Sequence, residues 1–192
     1  MNHADTIAFG RGTLVLALLL GVNLFSTAQA VDTTTRQPVT PNIVFLLADD
    51  MGYGDLGCFG SPVIQSPHLD LLAKQGVKLN QCYAASPNCS PARTGMLTGR
   101  SPYRVGMYDF ARFKPLHIPQ EETTVAELLK SGGYQTMFAG KWHCSGDFNS
   151  GKQPYPGEHG FDHWLANASN FGKDPATFLR NGKPAGRIAG WM

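Results

Sequence analysis

The stretch PNIVFLLADD at 41–50 constrains the fold more than any other part of the chain. The unbroken apolar run from Ile43 to Leu47 reads as a buried strand of a parallel or mixed sheet. Pro41 marks its start, and Asp49 and Asp50 stop it abruptly. A strand of that kind must be covered, which predicts an α/β fold with a mixed central sheet flanked by helices. In open sheets of this class ligands bind beyond the carboxyl ends of strands. The acidic pair therefore falls where a site is expected.

The rest of the chain supplies the covering elements. MGYGDLGCFGS at 51–61 is a glycine-rich loop. Ser66 and Pro67 predict the start of a short helix with Leu69, Leu71 and Leu72 on its apolar side, ended by Gly76. Residues 77–85 read as extended chain. Ser90 and Pro91 read as the cap and first residue of a second helix running to about Thr98, with Met96 and Leu97 inward. Thr124 and Glu127 form a capping-box signature before VAELLKSGG, which Gly132 and Gly133 end. YQTMFAG at 134–140 reads as a second strand, and Lys141 and His143 fall at its end. From 161 onward there are turn signals and scattered aromatics but no evident closing element. The chain accordingly reads as incomplete, either a truncated reading frame or the leading part of a longer protein.

The first thirty residues stand apart. Arg11 precedes the apolar run at 13–25, and Ala28 and Ala30 make an A-x-A site, so 1–30 reads as a secretory signal peptide cleaved after Ala30. The run is short for a membrane anchor, and no later stretch is long enough to span. A polar tail occupies 31–40, and the mature protein is expected to be secreted or periplasmic. The formal charge is +2 without a Lys/Arg cluster, which argues against a nucleic-acid partner. Cys58, Cys82, Cys89 and Cys144 match no zinc framework and are too few for a disulfide scaffold, although a Cys82–Cys89 pair stays open. Asn167-Ala168-Ser169 is an N-glycosylation pattern.

Three clusters carry chemistry. Adjacent carboxylates such as Asp49 and Asp50 repel unless a cation lies between them, and hard oxygen donors suit calcium or magnesium. A solvated turn is the plainer alternative, and Asp55 is either a third donor or part of the loop. Lys141 and His143 are alternate residues. In an extended segment both point one way while Trp142 packs on the other side, placing a cation and a proton carrier together. Cys89 lies at a helix mouth, where backbone N–H groups favour an anion, and Arg93 lies over the same turn. That arrangement suits an oxyanion site, and equally a nucleophilic thiol.

The segment CSPARTGMLTGR at 89–100 resembles the sulfatase signature, in which C-x-P-x-R directs oxidation of the cysteine to formylglycine. NIVFLLADDMGYGDLGCFG resembles the opening strand and acidic pair of that family, and GYQTMFAGKWHCSG its lysine-x-histidine segment. GFDHWLANASN and FLRNGKPAGRI are similar to stretches that follow in arylsulfatase-type members. Ala92 departs from the commoner serine of the signature. The resemblance implies an alkaline phosphatase-like fold, with 41–192 as the N-terminal portion of the catalytic domain. It implies sulfate-ester hydrolysis, with Cys89 as formylglycine precursor and Asp49, Asp50 and modified Cys89 around calcium. Arg93 would orient the modified residue, Lys141 would bind a sulfate oxygen, and His143 would hydrogen-bond the nucleophile. The implied partners are a sulfated small molecule or polysaccharide and a formylglycine-generating maturation enzyme. Further metal ligands, a second histidine and a second lysine belong to downstream sequence in the family. A phosphoesterase or phosphonate hydrolase of the same superfamily, or a non-catalytic truncated relative, is the alternative.

Overall fold

The computed structural model describes residues 40–111, 115–168 and 178–185. The leader at 1–30 and the polar tail through 39 lie outside them. The chain divides into two compact units, Met1–Leu46 and Leu47–Met192. Of the first, only 40–46 are described, and they form no strand. The expected buried strand at Ile43–Leu47 is therefore a correction. These residues are 47–80% exposed. An apolar run demands burial but brings no partner of its own, and a doubly buried strand exists only where neighbours hydrogen-bond both edges and cover both faces.

In the second unit the helices start and stop where their sequence signals lie. Helix α1, Pro67–Gln75, has Pro67 in its first turn and ends at Gly76, whose N–H donates to the Leu72 carbonyl. Ser66 does not cap it through its side chain. Its hydroxyl instead donates to Asp70 at 2.9 Å and accepts from the Gly57 N–H at 2.8 Å, tying α1 to a 3-10 turn at Gly57–Phe59. Leu69, Leu71 and Leu72 remain exposed. Residues 77–85 form no strand and are exposed throughout.

Helix α2, Cys89–Thr98, begins two residues earlier than the serine–proline signal suggests. Asn88 is the cap because its backbone is extended while its carbonyl already accepts from the Ala92 N–H at 2.9 Å. Pro91 is tolerated inside the first turn, where an N–H would have no helical acceptor. Leu97 is buried, and Met96 packs against the core. Gly95 is required by space: a Cβ there would come within 2.5 Å of the Ala85 Cβ. Helix α3, Val125–Ser131, carries the complete capping box, with Glu127 N–H donating to Thr124 Oγ1 and Thr124 N–H to Glu127 Oε2.

The described sheet has four strands in the order β1-β2-β3-β4. Strand β1, Met137–Lys141, runs parallel to β2, His163–Asn167, with Met137 opposite His163 and Lys141 opposite Asn167. The sequence placed β1 from 134, three residues early, because Thr136 is held by Asp162 and the Gly160 carbonyl instead. The tail does close part of the sheet, contrary to expectation. Strand β2 pairs antiparallel with β3, Leu179–Arg180, which returns as β4, Lys183–Pro184. The turn between them is Asn181-Gly182, both at positive φ (47° and 80°), the two-residue reversal that suits a hairpin's twist. The sheet is mixed, as expected, and residues 169–177 lie outside the described set.

Trp142, Trp164, Phe148, Met107, Ile118 and Leu97 build the core. Trp142 is 1% exposed and meets Phe138 edge-on at 5.3 Å, and its indole N–H donates to Ser145 Oγ at 3.1 Å. No helix among the described residues is long and apolar enough to cross a membrane.

Candidate functional site

The first turn of α2, the carboxyl end of β1 and the segment after residue 48 converge on Arg93. Its guanidinium Nη1 donates to the Lys141 carbonyl at 2.6 Å, and Nη2 lies 3.6 Å from Asp49 Oδ1. Lys141 Nζ donates to the other Asp49 oxygen at 2.7 Å. Asp49 thus bridges two cations that come from a helix and a strand. The Arg93 and Lys141 side chains are each 9% exposed, and that of Asp49 is 30% exposed. The buried Arg93 Nε has no hydrogen-bond partner among the described residues. A buried donor left over in a cationic pocket is available to an acceptor from outside.

Cys89 is the first residue of α2, partly buried, with a free thiol. Cys58, Cys82 and Cys144 are also free, so the Cys82–Cys89 disulfide is not formed. Asn88 makes no side-chain cap, so nothing from its side chain occupies the first-turn N–H groups beside Cys89. Ser90 is fully buried, and its hydroxyl accepts from the Ala111 N–H at 3.0 Å, pinning the loop after α2 to the Cys89 turn.

Lys141 and His143 do not lie on one extended segment. His143 has φ 53°, so the chain turns just past β1. Two backbone bonds enforce that turn: Trp142 N–H donates to the Asn167 carbonyl, and the Cys144 carbonyl accepts from Ile118 N–H. Trp142 does pack inward, as its position predicts. His143 is 6% exposed and stacks on Phe110, with ring centroids 6.3 Å apart and planes 19° from parallel. Left-handed backbone outside glycine is uncommon and recurs at functional sites. Asp50, at φ 56°, is a second such residue. It is exposed, at the start of the loop. Asp55 belongs to that loop, accepting from Gly52 N–H at 2.6 Å.

The structure thus brings together Asp49, Arg93 and Lys141 and sets Cys89 and His143 on the elements that carry them, while Asp50 faces solvent. Among the described residues no group of three His, Cys, Asp or Glu side chains could hold a metal. Asp49 and Asp50 are hard oxygen donors of the type calcium prefers, but two carboxylates are fewer than the roughly six to eight oxygens it takes. Burial pushes the Cys144 thiol up to about 12, against the pull of Arg93, a Thr94 hydrogen bond and Lys141. That thiol is inert packing beneath the cationic pair. Sequence reading missed Ser90 as a loop anchor and Phe110 as the ring beside His143. Neither leaves a local signal, because each contact spans tens of residues. It also missed His159, fully buried and stacked on Trp142 at 5.8 Å, whose pKa is lowered by burial. Asn167, the glycosylation acceptor of the sequence pattern, is buried at 6% exposure and ends β2.

Comparison with known proteins gives the family and the fold. The Sulfatase family model matches residues 41–182. Steryl-sulfatase of Rattus norvegicus is 40% identical over 181 residues, covering 90% of this chain and 29% of the rat protein. The ulvan-active sulfatase of Formosa agariphila is 35% identical, covering 88% of this chain and 33% of its own length. A solved structure from a Bacteroides thetaiotaomicron locus for metabolism of multiple glycosaminoglycans superposes with a TM-score of 0.68 at 37% identity, over 77% of this chain and 32% of that one. The chain therefore spans about a third or less of the relatives it matches. Its fold is that of the alkaline phosphatase-like sulfatases. With the signature cysteine heading α2 and the arginine–lysine–aspartate cluster beside it, the chain belongs to the sulfatase family.

Proposed function

We propose that this chain carries the nucleophile-bearing part of a secreted or periplasmic sulfate-ester hydrolase, with 1–30 as leader and 41–192 as the N-terminal portion of the catalytic domain. The observation that supports this most is the convergence of Arg93, Lys141 and Asp49 at the mouth of the helix that Cys89 begins. A sulfate ester is a tetrahedral anion. Lys141 Nζ, the Arg93 Nε–H that has no partner among the described residues, and the Cys89 and Ser90 amides at the start of α2 would offer donors to its oxygens in a largely buried setting, where such bonds are strongest. Lys141 would turn from Asp49 to the ester oxygen when substrate enters.

Cys89 would first be converted to formylglycine by a maturation enzyme. That step is a two-electron oxidation at Cβ in which the C–S bond breaks, sulfide leaves and a carbonyl oxygen arrives. With dioxygen as oxidant, an external thiol would supply the two further electrons needed to reduce it to water. The hydrated aldehyde would supply a hydroxyl that attacks sulfur while the ester O–S bond breaks and the alcohol leaves. Collapse of the second hydroxyl to the aldehyde would then expel sulfate from this diol. Arg93, one helical turn from Cys89, would orient it. His143 would hydrogen-bond its hydroxyl and carry the proton that must move. Asp49 and Asp50 would be this chain's ligands to calcium, which adds positive charge beside an anionic ester. The described residues do not complete that site.

The named relatives act on, or are named for, alcohols as different as sterols and ulvan. They therefore support a sulfate-ester substrate, a sulfated small molecule or polysaccharide, more strongly than any one alcohol. The test is peptide mass spectrometry of the protein secreted by its native host, with hydrazine trapping at position 89. An aldehyde there is the expected result. An unmodified thiol in the secreted protein would overturn the formylglycine reading.

A further inference from the structure

Phe110 lies against His143 and keeps part of its ring open. Its ring lies nearly parallel to that of His143, yet it is 44% exposed where His143 is 6% exposed. The backbone beside it is fixed: the next residue, Ala111, is fully buried and donates to Ser90 Oγ, one residue from Cys89. Phe110 N–H is itself held by Asp109 Oδ1 at 2.7 Å. An exposed aromatic residue is ordinary. This one is tied on one side to the first turn of α2 and on the other to the imidazole at the end of β1. It lies against His143 and next to the residue that anchors on Ser90, with part of its ring open to solvent.

The geometry points to Phe110 as a specificity-determining residue that stacks on a ring carried by the ester oxygen of the substrate. This deepens the function proposed above and rests on it. A sulfate held by Lys141 and Arg93 must project its ester oxygen and alcohol portion away from the buried donors. Phe110, beside His143 and partly open, would offer that portion an apolar surface. An aromatic ring in the leaving group would pack on it, offset or edge-on, and gain about three- to tenfold in affinity over an alkyl group. The stacking does not involve charge, so it should discriminate alcohols without altering recognition of the sulfate group.

The test measures dissociation constants by calorimetry on the full chain for inorganic sulfate, methyl sulfate and phenyl sulfate. Wild type, Phe110→Leu and Phe110→Trp are compared. The expected result is tighter binding of phenyl than methyl sulfate by wild type and by Phe110→Trp. Phe110→Leu should lose that preference while its constant for inorganic sulfate moves less than twofold. A phenyl preference that survives in Phe110→Leu overturns the assignment and leaves the function reading standing. An equal loss for all three anions also overturns it, because the ring would then act only by supporting His143. Failure of wild type to bind any of the three overturns the assignment together with the function it rests on.

Discussion

Replacing Arg93 with methionine removes the guanidinium while keeping most of the buried stem. The Arg93 Nη1 bond to the Lys141 carbonyl is short, at 2.6 Å, and lies in a side chain only 9% exposed. Hydrogen bonds involving a charged group contribute about 1.5–3 kcal/mol in such settings. The Asp49 contact, at 3.6 Å to a carboxylate 30% exposed, is partly screened and adds about 0.5 kcal/mol. Arg93→Met should therefore destabilise the fold by about 2–3.5 kcal/mol, lowering Tm by about 4–14 °C for a chain of this size. Lys141→Met makes the comparison sharp. It leaves the Arg93 bond intact, because the acceptor is Lys141's backbone carbonyl, and removes only a partly screened ion pair. Its cost should stay below about 1 kcal/mol. Urea unfolding followed by far-UV circular dichroism measures both. If Lys141→Met costs as much as Arg93→Met, or Arg93→Met falls within about 0.5 kcal/mol of wild type, the claim that Arg93 clamps α2 to the end of β1 is wrong.

Three further outcomes are expected. Thr124→Val should cost about 2–4 kcal/mol in the same urea assay: it removes the cap of α3 and leaves the buried His159 carbonyl without the Thr124 hydroxyl that donates to it at 2.7 Å. Asp162 is held at about 2, below its ordinary 3.8, first by its hydrogen bond to Lys130 and then by the Thr136 N–H. Because the folded state depresses this pKa, its contribution is present above 3.8 and is lost as pH falls toward 2. The gap in urea midpoint between wild type and Asp162→Asn should accordingly narrow across that window and stay constant above pH 5, and a gap that widens on acidification would contradict the assignment. In native alkylation with iodoacetamide read by peptide mass spectrometry, exposed Cys82 should label readily, whereas Cys144, buried and raised to about 12, should label only after denaturation.

How much was legible beforehand depended on the range of each interaction. The capping box of α3, the glycine stops and the helix carrying Cys89 are written within a few residues of themselves, and the structure follows them closely. The cap of α2 moved two residues because an extended Asn88 competed with the serine–proline signal. The Asn181-Gly182 turn pair is a local signal, but strands of two residues on either side of it give no periodicity to detect. The turn at His143 was not readable, since it is imposed by bonds to Ile118 and Asn167 from distant segments.

By itself the sequence determined the chemistry: a cysteine and an arginine one helical turn apart, a lysine and a histidine past a strand, and an acidic pair after an apolar run. Those are choices of residue type at short spacing, and the family to which the chain belongs follows from them. Only the tertiary structure decided that Asp49 joins Arg93 and Lys141 while Asp50 faces solvent, and that Phe110 lies against His143. The Ile43–Leu47 run marks the boundary between the two. Its apolar character is local and plain, but a strand is stabilised by hydrogen bonds and covering surface from other segments. The described residues leave that run exposed, in a chain spanning about a third or less of its relatives.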